Sequence, residues 1–557
     1  MLIPAPPLVI SEETTRITGP LTADGQIDFF KAIEEKMYPP ELATDDNGFR
    51  IFTRQFGHVG YTREWEDSEF YRLQKYQKLG LDPDVPPTLT FPEEPYAVFR
   101  KFYEEKGEET PESRDFGKPW TLEEYPMFAG WIKEIDIPMD AVAEAIRKPI
   151  FFPPFLQSPE SVESGKPQSL FAILLPDIQH ARTIARIFQA RATYRIGQGN
   201  IDGAIDDKLT LHRLGRQIAY GGSLVQYFVG MAIESMAEVI PVGANPAYPL
   251  TEQQIRRILE CLDALPPRAP FTDANEWERY TALGAVQYLA HDKSLSETLF
   301  MMHTACRISL HETHERQNIS DIETLASQRL VIMMSFMASF DWNTVYRRVN
   351  EAYDTLWEQM QERLCTLGSE RPLPKNFFSQ MLTPSGRGTI LADYLLDFWL
   401  TESGWENAVS AMQRRECIDN MQRLTWAILL YQCEHGKLPD ENWTEQIEKY
   451  LGENVEQYFS CPSNPVPKGK TTYALVQYGD TGGAVPGSHD TILLVELLEA
   501  VPLDKAVITV DEVRERKRTG DSHPGGMCIT HRSSAVRFLP SSVKKEELLR
   551  LLGHDVE

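Results

Sequence analysis

Three histidines and a glutamate in one short segment are the residues of this sequence whose types most resemble a metal-binding site. His303, His311, His314 and Glu315 lie in MMHTACRISLHETHERQ, which predicts a helix. At 100° per residue the three imidazoles fall within about 80° of one another, and such a face could coordinate zinc or iron in a metal-dependent hydrolase. However, His311 and His314 are three residues apart where HExxH needs four, and His303 lies about 16 Å from His314. The spacing therefore favours a surface or helix-end cluster, with the hydrolase as an alternative.

Two further segments resemble catalytic or phosphate-binding motifs but lack their chemistry. PVPKGKTT at 465–472 has Asn464 where a phosphate-binding loop needs its first glycine, and its two prolines remove amide donors. Ser488, His489 and Asp490 are adjacent in sequence, a spacing that a catalytic triad does not need, and no G-x-S-x-G elbow occurs. We predict a polar turn there. We assign no catalytic, cofactor-binding or metal residue from the sequence.

His523 and the cysteines complete the candidates. His523 precedes Pro-Gly-Gly, which favours a turn or cap side chain hydrogen-bonded to backbone over a general base. The seven cysteines are an odd number and too few for a disulfide scaffold, so most are predicted to be free thiols. Cys417 and Cys433 cannot bridge one another, because 16 residues of helix separate them by about 24 Å.

The length, composition and charge of the chain limit the classes of protein to which it can belong. A length of 557 residues suggests three or four domains, and 42% hydrophobic against 25% charged residues indicates a folded, globular chain. The net charge of −25 argues against nucleic acid as a partner. No apolar window is long enough to predict a transmembrane helix.

The first two parts of the chain differ in proline content. Residues 1–176 hold 21 of the 38 prolines and predict an acidic, irregular region with short helices, one of them within Gly25–Tyr38. The acidity fits a solvated surface, with a docking face for a basic partner as the alternative. Residues 177–400 predict an all-α domain, because no proline occurs in 177–240 or in 271–371.

Two glycine-containing turns divide 177–240 into three predicted helices with up-and-down packing. The unit at 191–219 resembles a tetratricopeptide-type helical hairpin, but no 34-residue period recurs. A helical-repeat-like adaptor that binds peptides is therefore a second alternative function.

Residues 401–557 predict a helix-plus-sheet domain. A long helix continues to His435 and ends at Gly436 and Pro439. A short amphipathic helix is predicted in the tail KKEELLRLLGH. The predicted fold class is thus α+β, a mostly helical body with a small C-terminal antiparallel sheet packed on a long helix. The predicted strands are 472–478, 491–496, 527–530 and 535–539.

The order of motifs from Gln413 to Pro540 resembles the C-terminal domain of the prepilin-like proteins of planctomycete bacteria. The family's hallmark is a histidine, nine residues and then Asp-Gly; here His523 is followed by nine residues and by Ser533 and Ser534. The resemblance implies a pseudopilin-like fold, and the loss of Asp-Gly predicts a looser or longer turn. The motifs are RRECIDNMQRLTWAILLYQCEHGKLP, FSCPSNP at 459–465, DTILLVE at 490–496, AVP at 500–502 and SHPGGM at 522–527.

The chain departs from that family before Arg414 and Arg415. Pilin-like proteins place an apolar, membrane-spanning half-helix there, whereas this segment carries acidic side chains that are costly in a bilayer. The module is therefore not expected to insert or polymerise as a pilin does. The acidic residues are Asp393, Asp397, Glu402 and Glu406.

Cys417 and Cys461 match positions where the family often has cysteines. Unpaired thiols are favoured. A disulfide between these two cysteines is the alternative in an oxidising compartment.

The first 400 residues have a weaker likeness to large uncharacterised proteins of the same bacteria, which usually carry an N-terminal membrane anchor. It rests on VISEETTRITGPL at 9–21 and WTLEEYPMFAGW at 120–131. The likeness implies the cell envelope and an anchor missing from the start of this chain. The sequence as given, with no signal peptide, implies the cytoplasm.

These observations predict a non-catalytic structural or interaction protein, placed in the bacterial cell envelope by the resemblance. Its pilin-like C-terminal module would serve docking or assembly. No cofactor is expected. Partners are expected to be proteins, with membrane contact only through an upstream anchor.

Overall fold

A computed structural model gives the three-dimensional structure of the chain. In its described part, none of the helices is both long and apolar enough to cross a membrane. The residues described are 5–59, 68–109, 118–165, 168–170, 173, 176–238, 250–291, 339–361, 377–380, 382–399, 402–452, 455–461, 464, 466–477, 492–515, 519, 523, 526–531, 536–540, 542–543, 548 and 551.

Six α-helices lie among the described residues of the proline-rich N-terminal part. The helix predicted within Gly25–Tyr38 is confirmed: the Asp28 side chain caps it by accepting a hydrogen bond from Lys31 N, and extended backbone at Tyr38 ends it. The helices are α1 Phe29–Met37, α2 Gly48–Phe56, α3 Ser68–Lys78, α4 Pro95–Lys106, α5 Ala129–Ile146 and α6 Pro159–Ser164.

The middle of the chain is helical in every element described. The three helices predicted between 177 and 240 are confirmed, and left-handed backbone at Gly199 and Gly222 makes the two short turns between them. The helices are α7 Pro176–Gly197, α8 Ile201–Ala219, α9 Leu224–Glu238, α10 Glu252–Asp263, α11 Phe271–His291, α12 Trp342–Gln361, α13 Phe377–Gln380 and α14 Pro384–Trp399.

A long helix and a five-stranded sheet form the C-terminal part, so the α+β fold class is confirmed. The helices are α15 Glu402–His435, α16 Trp443–Glu448 and α17 Val510–Arg514. The strands are β1 Lys470–Gln477, β2 Ile492–Pro502, β3 Val507–Thr509, β4 Gly526–His531 and β5 Val536–Pro540.

The strand order is β3-β1-β2-β4-β5. The pairings β1–β2, β2–β4 and β4–β5 are antiparallel, as expected, but β3 pairs parallel to β1 and makes the sheet mixed. The sequence missed β3 because three residues are too few for periodicity to register. The Ser533–Ser534 turn and most of the predicted tail helix lie outside the described residues.

Two apolar layers enclose the sheet. Cys417, Met421, Leu424 and Ile428 line the face of α15 that packs on one side of the sheet. Val513 of α17 packs among the side chains of the opposite face. A larger core extends from Ile27 to Val409, so the N-terminal and middle parts of the chain share it. The sheet is therefore held between a long helix and a thinner outer layer.

Helices α8 and α9 touch through their backbones at Gly215 and Gly230. A Cβ atom at Gly230 would lie 2.5 Å from the carbonyl oxygen of Gly215, and one at Gly215 would lie 2.6 Å from that of Gly230. Only glycine allows this approach, because backbone atoms cannot rotate away as a flexible side chain can.

We expect Gly230→Ala to destabilise the protein by about 1–3 kcal/mol, because the added methyl group forces α8 and α9 apart. The helical control is Gly130→Ala in α5, where a Cβ meets no atom within 4 Å. The control is expected to be neutral or slightly stabilising. Urea unfolding followed by circular dichroism measures both. Equal midpoints for the two variants would contradict the close approach.

Candidate functional site

A cluster of reactive side chains is enclosed between α15 and the sheet. We name it the cysteine–histidine cluster: Cys417 on α15, Cys461 in the segment before β1, Glu496 on β2, His523 before β4 and Cys528 on β4. The three cysteines and Glu496 are 0% exposed and His523 is 1% exposed. Five separate parts of the chain thus meet at one point that solvent does not reach.

Local periodicity explains how these side chains come to face one another. Cys417 precedes Met421 by one helical turn, on the stripe of α15 that faces the sheet. In the sheet, Tyr473 of β1 lies opposite Glu496 of β2. The backbone N–H of Cys528 donates to Glu496 Oε2 over 3.1 Å. These residues of neighbouring strands therefore lie side by side beneath the helix.

His523 connects the carboxylate to one of the thiols. Its Nε2 lies 3.3 Å from Glu496 Oε2 and 3.7 Å from Cys461 Sγ. Its Nδ1 is buried with no hydrogen-bond partner among the described residues. The backbones of His523 and Gly526 exchange hydrogen bonds of 3.0 and 3.1 Å, which hold His523 beside the start of β4.

The remaining contacts centre on Cys417. The hydroxyl of Tyr473 donates to Cys417 Sγ over 3.4 Å. The sulfur of Cys528 lies within 4.8 Å of the same atom, and Cys461 packs in the same core cluster. Donor atoms of Cys417, Glu496, His523 and Cys528 all lie within 4.8 Å of one another.

Burial and pairing set the protonation of the cluster. Burial acts to lower the pKa of His523. Its hydrogen bonds to Cys461 and Glu496, together with the negative charge of Glu496, outweigh burial and raise the pKa of His523 to about 9. Burial raises the pKa of Cys417 and of Tyr473 well above their ordinary values. Pairing with Glu496 thus favours the charged form of the His523 ring, whereas burial favours the neutral forms of the Cys417 thiol and the Tyr473 hydroxyl.

The structure settles some of the predictions for these residues. Cys417 and Cys461 meet in the module core, and all the cysteines in the described part are free thiols. The prediction that the His523 side chain is hydrogen-bonded to backbone is wrong: its ring contacts the side chains of Glu496 and Cys461, and it is the backbone of His523 that pairs with Gly526. The sequence analysis missed Glu496 and Cys528. A lone acid within the apolar run ILLVELL was the available signal for Glu496.

Other predicted candidates lie outside the described residues. They are His303, His311, His314 and Glu315 of the histidine cluster and Ser488, His489 and Asp490. In the phosphate-loop-like segment, β1 begins at Lys470 where a phosphate-binding loop would start a helix.

A second polar group joins the helical body to α15. We name it the arginine–carboxylate network: Arg216 of α8, Glu234 of α9, Arg268 of the segment before α11, and Arg415 and Asp419 of α15. Arg216 and Arg415 each reach an Asp419 oxygen at 2.7 Å, and Arg268 contacts the same carboxylate. Glu234 accepts from Arg216 at 3.0 Å and from Arg268 at 2.9 Å.

A cleft of about 340 Å³ opens beside this network. Its walls come from α8, α15, the segment after α10 and the segment before β1, and they include Arg216, Asp419 and Arg423. Both arginines contact carboxylates, Arg216 that of Asp419 and Arg423 that of Asp263. The cleft therefore lies where the C-terminal module meets the helical body, with its arginine charges already balanced.

Comparison with known proteins adds no relative. No protein-family model, no curated protein and no solved structure matches the chain.

We expect Asp419→Asn to destabilise the protein by about 2–4 kcal/mol near neutral pH, because it leaves three arginines facing one carboxylate. Burial acts to raise the pKa of the Asp419 carboxyl. The charges of Arg268, Arg415 and Arg216 outweigh that effect and hold the pKa well below its usual range. The stabilisation is therefore complete above the unfolded pKa of about 3.9 and is lost as the pH falls towards the folded value. The test is the melting temperature of the wild type and of Asp419→Asn between about pH 7 and pH 3. The difference between the two melting temperatures should shrink below about pH 4.

The matched control is Asp263→Asn, which removes a carboxylate that is 56% exposed and paired with Arg423. A surface pair of this kind contributes about 0–1 kcal/mol. If the two substitutions changed the melting temperature equally, the network would have no special role in joining the parts.

Proposed function

We propose that this chain is a non-catalytic structural or interaction protein of the bacterial cell envelope, and that its C-terminal helix-and-sheet module serves docking or assembly. One observation carries the proposal: helix α15 belongs to the helical body and to the module at once. The helix has 34 residues, which corresponds to a length of about 50 Å. A frame built on one continuous helix presents the module in a fixed orientation.

Three sets of contacts along α15 support this role. Ala408 and Val409, near its start, belong to the core of the helical body. The stripe that begins at Cys417 packs on the sheet. Trp426 and Leu430 pack in a third cluster with residues of α7, α8 and α10. Two sides of the same helix are thus covered by different parts of the chain, and the arginine–carboxylate network adds charge pairing at the same junction.

The position of the reactive side chains also supports a structural role. The cysteine–histidine cluster is 0–1% exposed beneath α15, so a substrate would have to part the helix from the sheet to reach it. The arginines of the neighbouring cleft are engaged by carboxylates. Groups arranged in this way hold elements together.

The segment before Arg414 supports docking without membrane insertion. Helix α14 occupies part of the stretch where a pilin-like chain carries its membrane half-helix. Leu391 and Leu395 of α14 are buried in the body core, and Asp393 pairs with Arg348 of α12 at 2.6 Å. The envelope location rests on the resemblance of residues 413–540 to prepilin-like proteins. The metal-dependent hydrolase and the peptide-binding adaptor remain the alternative predictions.

Photo-crosslinking in the cell of origin tests the docking role. A photoreactive amino acid is placed at Leu498, which is 53% exposed on β2 of the module, and at Ile137, which is 74% exposed on α5 of the body, as the matched control. We expect Leu498 to give a discrete cross-linked product that fractionates with the cell envelope, and Ile137 to give much less of it.

Two outcomes would contradict the proposal. One is equal cross-linking from both positions, or products confined to the cytoplasmic fraction. The other is a turnover activity of the purified protein that disappears when His311 and His314 are replaced while the fold is retained, which would favour the hydrolase.

A further inference from the structure

We infer that Cys417, Glu496, His523 and Cys528 form a binding site for one structural zinc ion, beside which the Cys461 thiol lies. The site goes beyond the proposed function and is independent of it, because such an ion would hold the module together in a scaffold or in an enzyme. The inference rests on the donor types, their separations and their burial.

The donor atoms are those that zinc prefers. Thiolate sulfur, imidazole nitrogen and carboxylate oxygen bind Zn²⁺ at about 2.3, 2.0–2.1 and 2.0–2.2 Å, in tetrahedral sites with four protein ligands. A mixed sulfur and nitrogen set favours zinc over calcium or magnesium, which take oxygen ligands. Cys417 and Cys528 supply the sulfurs, His523 the nitrogen and Glu496 the oxygen.

The separations match a tetrahedron of that size. Those bond lengths place neighbouring donors roughly 3.4–3.8 Å apart. The His523 Nε2 to Glu496 Oε2 distance is 3.3 Å, and all four donor atoms fall within 4.8 Å of one another. Side-chain shifts of a few tenths of an ångström to about one ångström would close the longer edges around an ion.

Burial favours an ion at this point. Five polar side chains in a core with 0–1% exposure are costly unless they are paired, and a carboxylate is the most costly of them. Two thiolates and one carboxylate carry three negative charges, of which the ion offsets two. Because the ligands come from α15, β2, β4 and the turn before β4, one ion would fix the helix on the sheet.

Cys461 has a different position from the four ligands. Its sulfur lies 3.7 Å from His523 Nε2, and Cys461 packs in the same core cluster as Cys417, so its thiol is placed to donate a hydrogen bond to a metal-bound sulfur. Hydrogen bonds of this kind orient metal-bound thiolates. Cys461→Ser keeps a donor at this place and is therefore expected to lower zinc retention less than Cys417→Ser.

Metal analysis of the full-length chain tests the site. The protein is expressed without a polyhistidine tag, purified in reducing buffer and measured by inductively coupled plasma mass spectrometry. We expect one zinc ion per chain. Cys417→Ser and Cys528→Ser should retain at least about tenfold less zinc. The matched controls Cys261→Ser and Cys433→Ser change thiols that are half-buried and exposed outside the cluster, and they should retain it fully.

A second measurement uses only the wild-type protein, so its result does not depend on whether a cysteine variant folds. Wild-type protein stripped of metal and loaded with Co²⁺ should show the visible bands of a tetrahedral ion and thiolate charge-transfer bands. The inference is overturned if the wild type holds no zinc after reconstitution, or if blocking of free thiols and mass spectrometry reveal a Cys417–Cys461 disulfide. It is equally overturned if zinc persists in Cys417→Ser and Cys528→Ser and leaves when His311 and His314 are replaced.

Discussion

Two carboxylates held among three arginines determine how the parts of this molecule meet. Glu234 is 1% exposed and Asp419 24% exposed, and each contacts arginines that arrive from other elements. An uncompensated charge at such a position costs several kcal/mol, so α8, α9, the segment before α11 and α15 must adopt one relative arrangement that pairs them all. The close backbone approach of Gly215 and Gly230 serves the same end, because it brings Glu234 on α9 towards Arg216 on α8.

Helix α15 extends that arrangement into the C-terminal module. The stripe through Cys417 and Met421 is covered by the sheet, while Trp426 and Leu430 pack against the helical body. A helix buried on more than one side cannot rotate without exposing apolar surface on one of them. The network fixes its position near residues 415–419, and the apolar contacts fix its rotation. The module is thereby presented in one orientation, which suits an assembly or docking element.

The arginine–carboxylate network and the cysteine–histidine cluster differ in what they require of their surroundings. The arginine–carboxylate network lies beside a cleft and pairs charges of opposite sign, with side-chain exposures that range from 1% at Glu234 to 24% at Asp419. The cysteine–histidine cluster lies under a helix with 0–1% exposure and combines thiols, an imidazole and a carboxylate. In such a dry setting a half-satisfied polar group is penalised strongly, so the cluster specifies its own geometry tightly. An ion bound there would join α15 to the sheet.

The sequence by itself determined the elements that local periodicity encodes. The helix within Gly25–Tyr38, the three helices after Asp177, the end of α15 at His435 and four of the strands follow from apolar spacing and from glycine and proline positions, because backbone sterics and one-sided burial act over a few residues. Only the tertiary structure decided the parallel pairing of β3 and the meeting of Cys417, Glu496, His523 and Cys528. These four residues are spread over 417–528, and which of them touch depends on strand order and on how α15 lies across the sheet. No local spacing carries that information, because a residue's neighbours across a core are chosen by packing of whole elements.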